Sequence, residues 1–157
     1  MNQKQNTGSQ ESDKKSLGRW ISILYRYGLV TLGKNAKKYN IGPGQISILL
    51  IMTHTDGISQ EEIKTLMGGM DKGTTSRMIK SLIQNGYLKK TVSPNDKRAN
   101  LIYKTPKFKK IEEKLVDISH SWDKALTRGF SSEERKTLEL LVGKMISNAM
   151  IHVHIEE

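Results

Sequence analysis

The chain has 157 residues, no cysteine, and 26 Lys and Arg against 16 Asp and Glu, for a net charge of +10. That length suits one domain with a tail, and the absence of thiols excludes disulfide scaffolds, cysteine nucleophiles, thiol redox switches and Cys-ligated zinc. The longest apolar run, Ile48 to Met52, is far too short for a membrane span or a signal-peptide core, so a cytoplasmic protein without membrane association is expected.

Residues 1–16 contain no apolar side chain after Met1 and are expected to form a disordered tail. From Leu17 an apolar stripe through Trp20, Ile21, Leu24 and Gly28 predicts a long helix to about Tyr39. Ile41-Gly-Pro-Gly44 breaks it, and Pro43 suits the first turn of a second helix reaching about Thr55 that is apolar on several sides. Asp56-Gly57 reads as a turn. Ser59 with Glu62 forms a capping box for a helix to about Met67. After Gly68-Gly69, Asp71 is a good N-cap for a helix over Lys72–Asn85, closed by Gly86. Two short strands, about Tyr87–Val92 and Ala99–Thr105, are joined by the turn residues Ser93-Pro-Asn-Asp96. Phe108, Ile111, Leu115, Ile118, Trp122 and Ala125 predict another long helix. Ser131 and Glu134 open the last, whose stripe runs through Leu138, Leu141, Val142, Met145, Ile146 and Ala149.

This order predicts a mainly α fold with a small β-hairpin wing, a winged helix-turn-helix plus a helical dimerisation region. The expected division is a tail at 1–16, a DNA-binding region at 43–105, and a helical dimerisation region made of 17–42 and 106–152. Each long terminal helix would span about 30–35 Å, with more apolar surface than one protomer can cover. A homodimer with interleaved terminal helices is therefore expected.

The charge is concentrated. Residues 64–110 hold twelve basic side chains against only Asp71 and Asp96, so this segment alone accounts for the net charge. A polyanionic partner is the implication. On a wheel of the Lys72–Asn85 helix, Thr75, Ile79, Leu82 and Ile83 share the core side. Gly73, Thr74, Arg77, Ser81 and Gln84 lie opposite, with Lys80 at the flank. That face is small, polar and basic, suited to a major groove about 12 Å wide. In the hairpin turn, Lys97 and Arg98 are placed to enter a narrow minor groove, with Asp96 near enough to orient Arg98.

The run Asp71-Lys-Gly-Thr-Thr-Ser-Arg77, then Leu82, Gly86 and Asp96-Lys-Arg98, resembles the MarR family of winged-helix transcription regulators. The resemblance spans about Leu17 to Ala149 and is most specific over Ile58 to Thr105. It implies a dimer shaped by intertwined terminal helices, with two winged lobes binding a pseudo-palindromic duplex operator. It assigns Lys72, Thr74, Thr75, Ser76, Arg77 and Lys80 to the recognition helix, although Thr75 and Ser76 lean toward the core on the wheel. It also sends Arg98 into the minor groove. Family members often have a glycine shortly after the threonine matching Thr105; Pro106 stands near that place here. The resemblance further implies repression relieved by a small aromatic or otherwise hydrophobic ligand, and Trp20, Met52 and His54 are the candidate lining of an effector pocket.

Competing signals are weaker. Gly28-Leu-Val-Thr-Leu-Gly-Lys34 has phosphate-loop spacing, but Asn35 stands where Ser or Thr should hold magnesium, and the run falls in a helical pattern. His152 and His154 lack a third metal ligand and are expected in a disordered end. Glu112-Glu113 and Glu133-Glu134 complement helix dipoles. No catalytic constellation, cofactor or metal site is expected. The alternative to a DNA-binding regulator is a winged-helix module for structured RNA or a protein partner.

Overall fold

The computed structural model describes residues 16–94 and 99–155. Helix α1, Leu17–Ala36, is capped by Ser16, whose hydroxyl accepts from the Arg19 backbone N–H at 3.2 Å. It tightens into a 3₁₀ turn over Lys37–Tyr39, and Asn40, at φ 58°, ends it in the left-handed region that Asn tolerates. Helix α2, Pro43–His54, begins with its proline at the first position. A two-residue strand β1, Ile58–Ser59, leads into α3, Gln60–Leu66. Helix α4, Lys72–Gln84, then precedes strands β2, Leu88–Val92, and β3, Asn100–Lys104. The chain closes with α5, Pro106–Lys109, α6, Glu112–Leu126, and α7, Ser132–Ile155.

The sheet is antiparallel in the order β1-β3-β2, with Ile102 opposite both Ile58 and Lys90. Its buried face joins α2, α3 and α4 around one core. That core contains Ile46, Leu49 and Met52 of α2, Ile63 of α3, Ile79 and Leu82 of α4, and Leu88, Ile102, Phe108 and Leu115. The apolar character of α2 on several sides is explained by this placement, because other elements surround it.

Three details depart from the sequence-based expectations. The strand β1 was not anticipated, since two residues carry no alternation to read. The helix expected from Phe108 onward is two helices. Thr105 caps the first by accepting from Phe108 N–H at 3.2 Å, and a break at Lys110-Ile111 restarts the chain as α6. Helix α7 runs through His152 and His154 to Ile155, where a disordered end was expected. Among the described residues, no helix is long and apolar enough to cross a membrane.

Helix α1 is fastened to the lobe at its C-terminal end. The Tyr87 hydroxyl donates to the Tyr39 carbonyl at 2.7 Å, and Gly33 is buried against the Pro43 ring. Helix α7, by contrast, leaves Leu138, Leu140, Leu141, Val142, Ile146, Met150 and Ile151 exposed. The N-terminal half of α1 likewise exposes Leu17, Trp20, Ile21 and Leu24. One protomer does not bury its own longest apolar faces.

Candidate nucleic-acid interface

Asp71 starts α4 by accepting from the Thr74 backbone N–H at 2.7 Å. That N–H and the Thr74 hydroxyl hold the Asp71 carboxyl below its usual range, so the cap is ionised at neutral pH. Burial of Thr75, Ile79 and Leu82 then sets the roll of the helix. Lys72, Gly73, Ser76, Arg77, Lys80 and Gln84 are exposed. At 100° per residue they fall within an arc of about 140°. The Arg77 guanidinium donates to the Thr74 hydroxyl at 2.9 Å, which orients it along the helix. Within the helix no acid interrupts this face.

Two of the expected recognition residues are placed otherwise. Thr75 has 0% exposure and packs into the core, so it cannot touch a base or a phosphate. Its hydroxyl oxygen has no hydrogen-bond partner among the described residues. Ser81 is half-buried, and its hydroxyl accepts from the Gln45 side-chain amide at 2.8 Å. Ser81 therefore ties α4 to α2 instead of facing outward. Ser76, expected to lean inward, is exposed; Thr74 is half-buried beneath Arg77. Gln45 was missed by the sequence reading. Its signal was a lone amide in the first turn of an otherwise apolar helix.

Beside α4, β2 exposes Lys89, Lys90 and Thr91. Asp96, Lys97 and Arg98 lie outside the described residues. The base of the hairpin is held rigidly. The Lys104 backbone N–H donates to the Asp56 carboxylate at 2.8 Å, and the Lys104 ammonium pairs with Glu112 at 2.9 Å. The Thr105 hydroxyl lies 2.7 Å from the Gly86 carbonyl, to which it donates, and Lys107 donates to the Asn85 carbonyl at 2.6 Å. Lys104 and Lys64 form ion pairs, whereas Lys72, Arg77, Lys80, Lys89 and Lys90 form none with a described residue. Positive charge without an ion pair to a described residue is thus present on α4 and β2.

Trp20, Met52 and His54 are not brought together. Trp20 is 52% exposed near the outer end of α1, Met52 is fully buried in the core, and His54 is exposed at the end of α2. Residues two apart on a helix point about 200° apart, so Met52 and His54 cannot line one pocket. A different cavity, of about 540 Å³, lies between α1, α6 and α7, with Ser47 of α2 also on its wall, and is lined by Leu24, Gly28, Trp122, Leu126 and Met145 among others. The Gly28–Lys34 run lies within α1 and forms no phosphate-cradling loop. Among the described residues, no cluster of His, Asp and Glu could hold a metal ion.

A family model described as MarR family matches residues 41–99, from the end of the α1 turn through the helix-turn-helix into the wing. The HTH-type transcriptional regulator BilQ of Clostridioides difficile is 30% identical over 124 residues, covering 79% of this chain and 83% of that protein. The chain belongs to the MarR family. MarR-family proteins are DNA-binding transcriptional regulators, and in this chain α4 is the second helix of the winged helix-turn-helix. The crystal structure of a MarR transcriptional regulator from Methanosarcina mazei Go1 is similar at a TM-score of 0.79 and 34% identity, covering 85% of this chain and 96% of that one. A putative MarR-family regulator from Listeria monocytogenes, solved in complex with 26mer DNA, shares the fold at a TM-score of 0.83 and 24% identity, covering 90% and 95%.

Proposed function

We propose that this MarR-family protein is a homodimeric, sequence-specific repressor that binds a pseudo-palindromic duplex operator and leaves it when a small hydrophobic ligand binds. The observation that carries the reading is the outward face of α4, where Lys72, Ser76, Arg77, Lys80 and Gln84 stand together with no acid among them. Such a face supplies donors to base edges and cations to phosphates. The wing residues Asp96, Lys97 and Arg98 are proposed to reach the adjacent minor groove. The Listeria protein, solved with 26mer DNA, supports DNA as partner. The unpaired apolar faces of α1 and α7 support the dimer. The apolar cavity beside Trp122 is the proposed ligand pocket, replacing the Trp20, Met52 and His54 set.

The experiment is a selection of duplex fragments from the source genome at about 0.15 M salt with excess random competitor. Recovery of fragments sharing an inverted repeat, bound at least about 10³-fold more tightly than random DNA, is the expected result. Recovery of no shared motif, with binding that collapses as salt rises, would overturn the reading and turn attention to structured RNA or a protein partner.

A further inference from the structure

We infer that Gln45 is a positioning residue for DNA recognition, acting through Ser81 to fix the roll of α4. The inference rests on α4 being the reading helix. Gln45 lies in the first turn of α2, half-buried, and both ends of its amide are engaged. Its oxygen accepts from the Gly42 backbone N–H at 2.8 Å, and its nitrogen donates to the Ser81 hydroxyl at 2.8 Å. The cap at Gly42 sets which way the amide points, so the NH₂ group is delivered to Ser81. The neighbouring Gly44 also lies close to α4, with the Met78 sulfur 2.8 Å from where its Cβ would stand. The first turn of α2 therefore lies directly on α4 at Met78 and Ser81.

Ser81 is one turn beyond Arg77 and next to Lys80. The buried contacts of α4 are the apolar side chains of Ile79 and Leu82 and Thr75, whose hydroxyl makes no hydrogen bond with a described residue. Their non-directional packing turns this side of α4 toward the core and so sets its roll coarsely, without fixing the last few degrees. A hydrogen bond is directional and weakens steeply as it is bent. Base readout demands side chains held within about 0.5 Å and 10–20°. Phosphate contacts by long lysines tolerate more. Loss of the Gln45–Ser81 bond should therefore erode discrimination between sequences while sparing general affinity for duplex DNA.

The test compares binding to two duplexes of equal length, one recovered by selection from a random library and one of scrambled sequence. Gln45→Met removes both bonds at similar volume, and Ser81→Ala removes one partner only. Each should weaken the selected duplex by about tenfold, roughly 1.4 kcal/mol, and the scrambled one by less than about twofold. The double variant should be no worse than Gln45→Met alone, because the bond that Ser81→Ala deletes is already absent there. Gln45→Glu should restore most of the loss, since a carboxylate accepts from Gly42 N–H while the Ser81 O–H turns to donate to it. Equal losses on both duplexes, or an unchanged ratio, would overturn the inference. If Gln45→Met does not fold, Ser81→Ala decides alone. Arg77→Ala separates the premises. If it leaves the ratio unchanged, α4 is not the reading helix. If it collapses the ratio while Ser81→Ala does not, only the role of Gln45 falls.

Discussion

Thr75 is the residue whose chemistry fits its surroundings least. It is fully buried on the core side of α4, and its hydroxyl meets neither donor nor acceptor among the described residues. Desolvating a hydroxyl without a partner costs about 1–3 kcal/mol. Thr75→Val keeps the shape and removes that group, so it should stabilise the fold by about 1 kcal/mol. A domain of this size should then melt about 2–4 °C higher, measurable by calorimetry or circular dichroism. Affinity for DNA should be unchanged, since the side chain faces the core. A lower melting temperature would show that the hydroxyl has found a partner. The same residue marks where the sequence was legible. Periodicity placed Thr75, Ile79 and Leu82 inward correctly, while the family resemblance alone listed Thr75 with the DNA contacts. Periodicity erred at Ser76 and Ser81, both serines, because a small polar side chain carries almost no burial signal of its own. Ser81 was assigned by what its partner does, and that partner lies 36 positions away in sequence.

At the scale of elements, local chemistry was enough wherever a start signal was complete. Ser59 with Glu62 and Ser131 with Glu134 form the reciprocal caps that their spacing predicts, with Glu62 and Glu134 each accepting from the cap residue's backbone N–H. Joints between elements were not legible, because they depend on approach distances. Gly33 is such a joint. A Cβ there would lie 2.9 Å from the Pro43 ring and 3.4 Å from its Cα, and neither the ring nor the backbone can swing away. Gly33→Ala should gain up to about 1 kcal/mol of helix propensity in α1. It should lose about 1–3 kcal/mol to overpacking, because the end of α1 must lift from the start of α2. A net loss of stability is therefore expected in a denaturant titration. An unchanged or higher midpoint would mean that α1 and α2 slide apart freely and that the joint does not constrain the lobe. The apolar cavity was illegible for the same reason. Its lining comes from four helices, α1, α2, α6 and α7, and their crossing geometry is not written in the chemistry of Trp20, Met52 or His54.

For the whole molecule, the long terminal stripes pointed to a second chain, and the fold leaves those stripes uncovered. Leu141 is 51% exposed in the middle of α7, flanked by Leu138, Val142 and Ile146 on neighbouring turns. Fully burying one such side chain contributes about 1.5–3 kcal/mol, so α1 and α7 faces meeting their symmetry mates would hold the proposed dimer. A lysine at position 141 reverses that at the seam. In a symmetric interface it appears twice, and each ammonium loses water without gaining a carboxylate. Leu141→Lys should therefore scatter light as a monomer at micromolar concentrations where the parent scatters at twice the chain mass. The monomer should still bind a single half-site weakly, because the winged lobe keeps its own core, but it should lose most of its affinity for the full inverted repeat, where two linked lobes act at a high effective concentration. Should the variant remain a well-behaved dimer, α7 is not the seam. The apolar cavity it helps to line, closed by no partner helix, would then be open to ligand from its outer side.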